Sequence, residues 1–271
     1  MHKTNFHLNK WFLDFVGDNG KTMIFYAAEL SWFGFTVSYT SFLNYDPLDG
    51  VDQKSRFRNI QMPVKRENQI TWKDLKFEIE GSWESLASPI QARIFDSNEG
   101  FLDWNCFQPA SKVLLKIKDE IHKGRGYVEQ LILTAPPWKI PMNELRWGRF
   151  GSSYNQIVWI ELRKNEINQW LWYNGERIEK CTINDNSIFV PEKNFTLKLD
   201  QGVILESEKK IFTVVKDLLK YIPGFNKVIP LDFLMAQETK WLSKGQINSD
   251  GKTIEKGMAI HEFVNFNSQK P

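Results

Sequence analysis

The chain has 271 residues, 35 Lys and Arg against 33 Asp and Glu, a net charge of +2, 42% hydrophobic residues and a mean hydropathy of -0.42. These values fit a soluble folded protein of one large or two small domains and exclude a disordered chain; the balanced charge also excludes the basic excess that gives affinity for nucleic acid. Cys106 and Cys181 are too few for a disulfide framework, the four histidines show no metal-ligand spacing, no apolar leader follows Met1, and no run of roughly 18 apolar residues occurs, so a cytoplasmic, metal-free protein is expected.

Aromatic residues make up 14% of the chain, with 11 Trp, 20 Phe and 7 Tyr, a composition that favours strands. In chain order, Asp18-Asn19-Gly20 separates two alternating stretches, 11–16 and 22–27, and strands follow at 25–30 and 35–43. Residues 46–68 are polar and aperiodic and read as a long connection or a flap. Strands at 75–83 and 91–95 lead to the turn Asn98-Glu99-Gly100, after which 101–105 and 112–117 are again strand-like; Cys106 falls in an apolar run and is expected to pack. From Lys118 to Gly126 the composition turns to charge and glycine, which suggests a boundary between a domain of residues 1–122 and one of residues 123–271.

The second half continues with strands at 126–134 and 156–163. Asn174-Gly175 then follows an aromatic stretch and is a strong type I′ hairpin signal, because both central residues need positive φ. Strands at 195–199 and 203–206 flank Asp200-Gln201-Gly202; a helix is expected over 208–221, capped by Ser207 and stopped by Pro223-Gly224; Asp250-Gly251 precedes a last strand at 258–266. A row of antiparallel hairpins of this kind indicates an all-β sandwich or barrel.

Three strands place carboxyls on apolar faces. With period two, Tyr127 and Glu129 share a face with Leu131 and Leu133, and Arg146 and Arg149 on the next segment are the cations that would decide the state of Glu129. Trp159 shares a face with Glu161, lining either solvent or a polar cavity. Glu262 lies with Met258, Ile260, Val264 and Phe266, and His261 takes the opposite face; Lys240, beside Trp241, or an arginine is the available partner for Glu262. For each carboxyl the plain alternative to catalysis is a structural ion pair. The functional alternative is an acid kept neutral by its surroundings, and the strongest form of it brings Glu129 and Glu262 to one polar pocket in the second barrel with Arg146 or Arg149. Gly-x-Ser-x-Gly and phosphate-cradling glycine loops are absent, which argues against a serine hydrolase and a nucleotide site.

Gly126-Tyr127-Val128-Glu129, Leu145-Arg146-Trp147-Gly148-Arg149-Phe150, Val158-Trp159-Ile160, Glu238-Thr239-Lys240-Trp241 and Ala259-Ile260-His261-Glu262 resemble, in order and spacing, the carotenoid 1,2-hydratase (hydroxyneurosporene synthase) and AttH-like superfamily, with tocopherol cyclases and survival-factor-like Diels–Alderases as more distant relatives. The resemblance covers most of the second half and, loosely, the first. It departs at Val128-Glu129-Gln130, where carotenoid hydratases carry a segment containing His and Asp. It implies two consecutive lipocalin-like antiparallel β-barrels with at most one or two short helices, and a lipophilic substrate held between or inside them.

The expected function is therefore a cofactor-free enzyme that hydrates, cyclises or isomerises an isoprenoid or polyene. Glu129 or Glu262 would be the acid, and Tyr127, Arg146, Trp147, Arg149, Trp159, Glu161, Lys240, Trp241 and His261 would line the substrate site. The alternative is a carrier of a lipophilic ligand without chemistry. Peripheral membrane contact is compatible with either, and the oligomeric state is left open.

Overall fold

The computed structural model describes residues 6–210 and 229–266, in two compact units that divide between Ile140 and Pro141. Each unit is a curled antiparallel sheet, and together they make two consecutive lipocalin-like barrels. The first contains β1 (His7–Gly17), β2 (Thr22–Trp32), β3 (Phe35–Asp46), β4 (Gly50–Phe57), β5 (Val64–Arg66), β6 (Gln69–Asp74), β7 (Ile79–Ser85), β8 (Ile90–Ser97), β9 (Gly100–Ile117) and β10 (Glu120–Leu133). Its strand order is β4-β3-β2-β1-β10-β9-β7-β6-β5, with β8 also paired to β9.

The second unit contains β11 (Glu144–Gly151), β12 (Gln156–Arg163), β13 (Ile167–Tyr173), β14 (Glu176–Ile178), β15 (Thr182–Ile183), β16 (Ser187–Val190), β17 (Phe195–Leu199), β18 (Val203–Lys210), β19 (Gln237–Ser249) and β20 (Lys252–Asn265). Its order, β14-β13-β12-β11-β20-β19-β17-β16-β15 with β18 paired to β19, repeats that of the first unit ten strands later. The helical content among the described residues is one short helix, α1 (Leu231–Leu234), and the 3-10 turns Pro137–Lys139 and Pro191–Lys193. None of these is long and apolar enough to cross a membrane.

Alternation along the strands builds each core. In the first unit Trp11, Leu13 and Phe15 of β1, Met23, Phe25 and Ala27 of β2, Trp72, Trp83, Leu115 and Val128 form one buried cluster, in which Phe25 stacks on Phe42 at 5.2 Å. In the second, Phe150, Ile157, Trp159, Leu171, Ile188, Leu197, Ile247 and Ala259 do the same. Each such aromatic or branched side chain contributes about 1.5–3 kcal/mol on full burial. The hairpin signals hold: Asn174 and Gly175 have φ of 52° and 82°, and Asp250 and Gly251 have 50° and 75°.

Three expectations from the sequence need correction or comment. The charged, glycine-containing stretch from Lys118 to Gly126 is a turn followed by the start of β10, inside the first sheet, so the division lies at Ile140/Pro141 rather than 122/123. Its glycines mark close strand approach, since a Cβ on Gly124 would meet the Val16 carbonyl oxygen at 2.4 Å and one on Gly126 the Asp14 carbonyl oxygen at 2.2 Å. Residues 46–68 are not a bare connection. They contain β4 and β5, short of buried positions and therefore without alternation, and Arg56 of β4 is fixed to buried Asp74 at 2.7 Å. The helix expected over 208–221 begins on residues that extend β18 to Lys210, and its remainder lies outside the described residues.

Candidate functional site

Because Trp11, Leu13, Phe15 and Val128 enter the core of the first unit, alternation sends Phe12, Asp14, Tyr127 and Glu129 to the opposite face of the sheet. That face is buried as well: Asp14, Tyr127 and Cys106 are 0% exposed, Trp104 is 1% and Glu129 is 5%. Glu129 stands opposite Phe12 on β1 and opposite Cys106 on β9, and Asp14 stands opposite Tyr127. One oxygen of Glu129, Oε2, accepts hydrogen bonds from the Tyr127 hydroxyl at 2.6 Å and from Trp104 Nε1 at 2.5 Å. Burial pushes the Tyr127 hydroxyl well above its usual pKa, so it remains a donor at working pH. Burial, with the charges of Glu129 and Asp14 nearby, likewise keeps the Cys106 thiol protonated. Phe12 packs its ring edge-on to Tyr127 at 6.0 Å and to Tyr26 at 5.5 Å, so the carboxyl sits beside aromatic faces.

Tyr127 and Glu129 were legible from the sequence; Asp14, Trp104 and Cys106 as their companions were not. The available signal was Asp14 itself, the single charged residue in Trp11-Phe12-Leu13-Asp14-Phe15-Val16.

The second unit holds the remaining residues in separate groups. Inside the barrel, Arg146, Trp159, Trp241, His261 and Phe263 line a cavity of about 150 Å³ together with Asp185 and Leu199. His261 stacks on Trp241 at 5.2 Å and faces Trp159 at 6.5 Å, while its Nε2 lies 3.0 Å from Ser243 Oγ. Burial lowers the His261 pKa to about 4, so the imidazole is neutral at physiological pH. Arg146 packs over the Phe263 ring at 4.7 Å and is fixed by Glu144 at 2.7 Å and Asp185 at 2.8 Å. Glu161 is fully buried rather than facing solvent; it pairs with Arg163 at 2.5 Å and Arg146 at 3.7 Å, and accepts from Gln169.

Glu262 also borders this cavity, but its carboxylate is held by a further cluster. Its carboxylate lies 2.9 Å from Nζ of fully buried Lys240, which also holds Glu206 at 3.0 Å and Glu238 at 2.6 Å. Trp147 and Arg149 are buried at 6% and 5% exposure and share the face of β11 that carries neither Gly148 nor Phe150. Glu129 is therefore part of the first sheet and Glu262 of the second, and the expectation that both enter one pocket of the second barrel is not met. The cause is the position of the boundary: β10 closes the first sheet on β1 instead of opening the second. Among the described residues no group of three or more His, Cys, Asp and Glu side chains is arranged to hold a metal ion.

No protein-family model matches the sequence, and no curated protein is similar to it. Solved structures are similar in fold. A protein assigned as an AttH from Nitrosomonas europaea superposes with a TM-score of 0.52 at 8% identity, over 98% of this chain and 94% of that one. Kievitone hydratase from Nectria haematococca gives 0.53 at 10% identity, over 95% and 88% of the two chains. CghA gives 0.51 at 10% identity, over 98% and 90%. The chain has the fold of these proteins. At such identities the likeness concerns architecture, and the chemistry must be argued from the side chains.

Proposed function

We propose that the protein is a cofactor-free enzyme of the hydratase or cyclase kind acting on a lipophilic isoprenoid or polyene, with Glu129 as its proton-transfer residue. The observation that carries this reading is the Glu129 carboxyl, buried among aromatic rings, with Tyr127 and Trp104 both donating to Oε2. A carboxyl that gives a proton to an alkene becomes a carboxylate, and two donors already in place stabilise the charge that then develops, without reorganisation. The aromatic faces of Phe12, Tyr26 and Tyr127 suit a carbocation. In a hydration, the carboxyl proton adds to one alkene carbon, a water oxygen bonds to the other, and a proton from that water returns to the carboxylate. In a cyclisation, a second π bond takes the place of water, and loss of a proton from carbon restores the acid.

Kievitone hydratase is named for a hydration, and its sharing of the fold supports the reaction class. The test compares lipid extracts from cells carrying no protein, the full chain, or Glu129→Gln by mass spectrometry. The expected result is a new product that is 18 mass units heavier than its precursor, or isomeric with it, only with the unaltered chain. A product that persists with folded Glu129→Gln would remove Glu129 from the chemistry; a ligand retained unchanged by both would make the protein a carrier.

A further inference from the structure

We infer that the cavity inside the second unit is a binding site for a neutral, single-ring ligand carrying an O–H or N–H donor, independent of the Glu129 cluster in the first. Size sets the first limit. The space of about 150 Å³ bounded by Arg146, Trp159, Asp185, Leu199, Trp241 and His261 is well below the roughly 300–1,000 Å³ of drug-sized pockets. It matches the volume at which an engineered apolar cavity takes up benzene. Shape sets the second limit, because Trp241 lies at 21° to the His261 ring and Trp159 at 40°, which gives the space flat walls suited to a planar occupant.

The hydrogen-bond pattern fixes the polarity. The Asp200 carbonyl oxygen, 3.1 Å from Ser243 Oγ, can only accept; with the hydroxyl hydrogen assigned to it, Oγ is the acceptor toward His261 Nε2, 3.0 Å away. Nε2 therefore carries the imidazole hydrogen, and Nδ1 of the neutral ring is left as a lone-pair acceptor. Nδ1 has no hydrogen-bond partner among the described residues, although His261 is only 8% exposed. The lone pair is thus open to a donor on a ligand, which would take the place of solvent there.

Charge supplies the last restriction. Arg146 directs Nε and Nη2 to Asp185 at 3.0 and 2.8 Å and Nη1 to Glu144 at 2.7 Å, with Glu161 at 3.7 Å. Its guanidinium is already matched by carboxylates, so an anionic ligand would meet like charge. Asp185 and Glu262 on the lining add to that repulsion, and a neutral ring with a hydroxyl or N–H avoids it.

The test titrates the full chain calorimetrically with phenol, anisole and benzoate. Phenol should bind in the millimolar range, about tenfold more tightly than anisole, which has the ring but no donor, while benzoate should not bind. His261→Phe should bring phenol and anisole level. In case that variant does not fold, the imidazole 15N resonances of the unaltered chain provide a second readout, with Nδ1 expected to shift on adding phenol and not on adding anisole. Equal affinity for phenol and anisole, preference for benzoate, an unmoved Nδ1 resonance, or no binding by any of the three would overturn the assignment.

Discussion

The two units share a strand order and differ in what they place on one equivalent rung. In the first, Glu129 of β10 stands opposite Phe12 on the unit's opening strand; in the second, Glu262 of β20 stands opposite Trp147. Across the other neighbour the residues diverge. Cys106 faces Glu129 where Lys240 faces Glu262, and two residues further along the closing strand, Leu131 faces Trp104 where Val264 faces Glu238. On the rung before, Tyr127 pairs with Asp14 where Ile260 pairs with Arg149. The same backbone position thus gives a carboxyl held by phenol and indole donors in one copy and a carboxylate clamped to an ammonium in the other. Lys240 gives Glu262 a permanent counter-ion, whereas the phenol and indole donors at Glu129 can stabilise a developing charge without supplying one. The proposed acid is accordingly Glu129.

The sharpest way to break this comparison is to alter both glutamates. Glu129→Gln should lower turnover by about 10²–10⁴-fold while the melting temperature changes little, because the carboxamide oxygen can take the position of Oε2 but cannot deliver a proton. Glu262→Gln should leave turnover near its original level, with Lys240 still paired to Glu206 and Glu238. Equal losses in the two variants would show that the rung, and not its neighbours, sets the role. The next largest effect concerns Lys240. Lys240→Met should cost about 3–5 kcal/mol in urea unfolding, since it leaves Glu206, Glu238 and Glu262 without their shared ammonium in a buried setting. Cys106→Ala, at the matching position of the first unit, should cost much less because packing and a weak thiol hydrogen bond to Tyr127 are lost but no charge is stranded.

The hairpins were readable because Asn174-Gly175 and Asp250-Gly251 satisfy a backbone requirement locally. The turn at Phe33-Gly34 uses the same geometry, with φ of 50° and 79°, but places Phe where Asn is usual, so its residue types give no warning. The repetition of ten strands leaves little trace in the side chains for a related reason: register belongs to the backbone, while the residues on equivalent rungs, such as Cys106 and Lys240 or Tyr127 and Ile260, have little in common. Strand alternation did identify Glu129 and Glu262 as carboxyls on apolar faces in need of partners, with Lys240 or an arginine for Glu262, and left Glu161 between solvent and a polar cavity. It could not identify Trp104 or Asp14 as neighbours of Glu129, because those contacts depend on β10 pairing with β9 and β1, which no local pattern specifies.

A third test uses acidity. The pKa of His261 is lowered to about 4 in the folded protein, mainly by burial, against about 6.5 in an unfolded chain. Between those values the unfolded state binds more protons, so stability rises with pH across the window and is lost as pH falls from about 6.5 toward 4. The contribution is on the order of 3 kcal/mol, full above pH 6.5. His261→Asn should remove that part of the pH dependence, seen as the difference between the urea unfolding curves of the two proteins, which cancels the titration of shared carboxylates. An unchanged difference between pH 7 and pH 4.5 would show that the ring is hydrated in solution.

The smallest expected effect falls on the donor pair itself. Tyr127→Phe removes one of the two hydrogen bonds to Glu129 Oε2 and keeps the ring against Phe12. Hydrogen bonds to charged groups are worth about 1.5–3 kcal/mol. If Tyr127 stabilises the carboxylate that follows proton donation, its loss should appear chiefly in turnover, at about 10–100-fold, with substrate affinity preserved and the alkaline limb of the pH profile moved upward, because the carboxyl would then hold its proton to higher pH. Trp104→Phe should shift the profile in the same direction, since Nε1 reaches the same oxygen. The matching change in the second unit, Ile260→Val, removes a buried methylene beside the Lys240 cluster and should cost about 0.5–1.5 kcal/mol of stability without moving that limb. A pH profile that responds equally to Tyr127→Phe and Ile260→Val would mean that the hydroxyl contributes only packing, and the distinction between the two rungs would then rest on Lys240 alone.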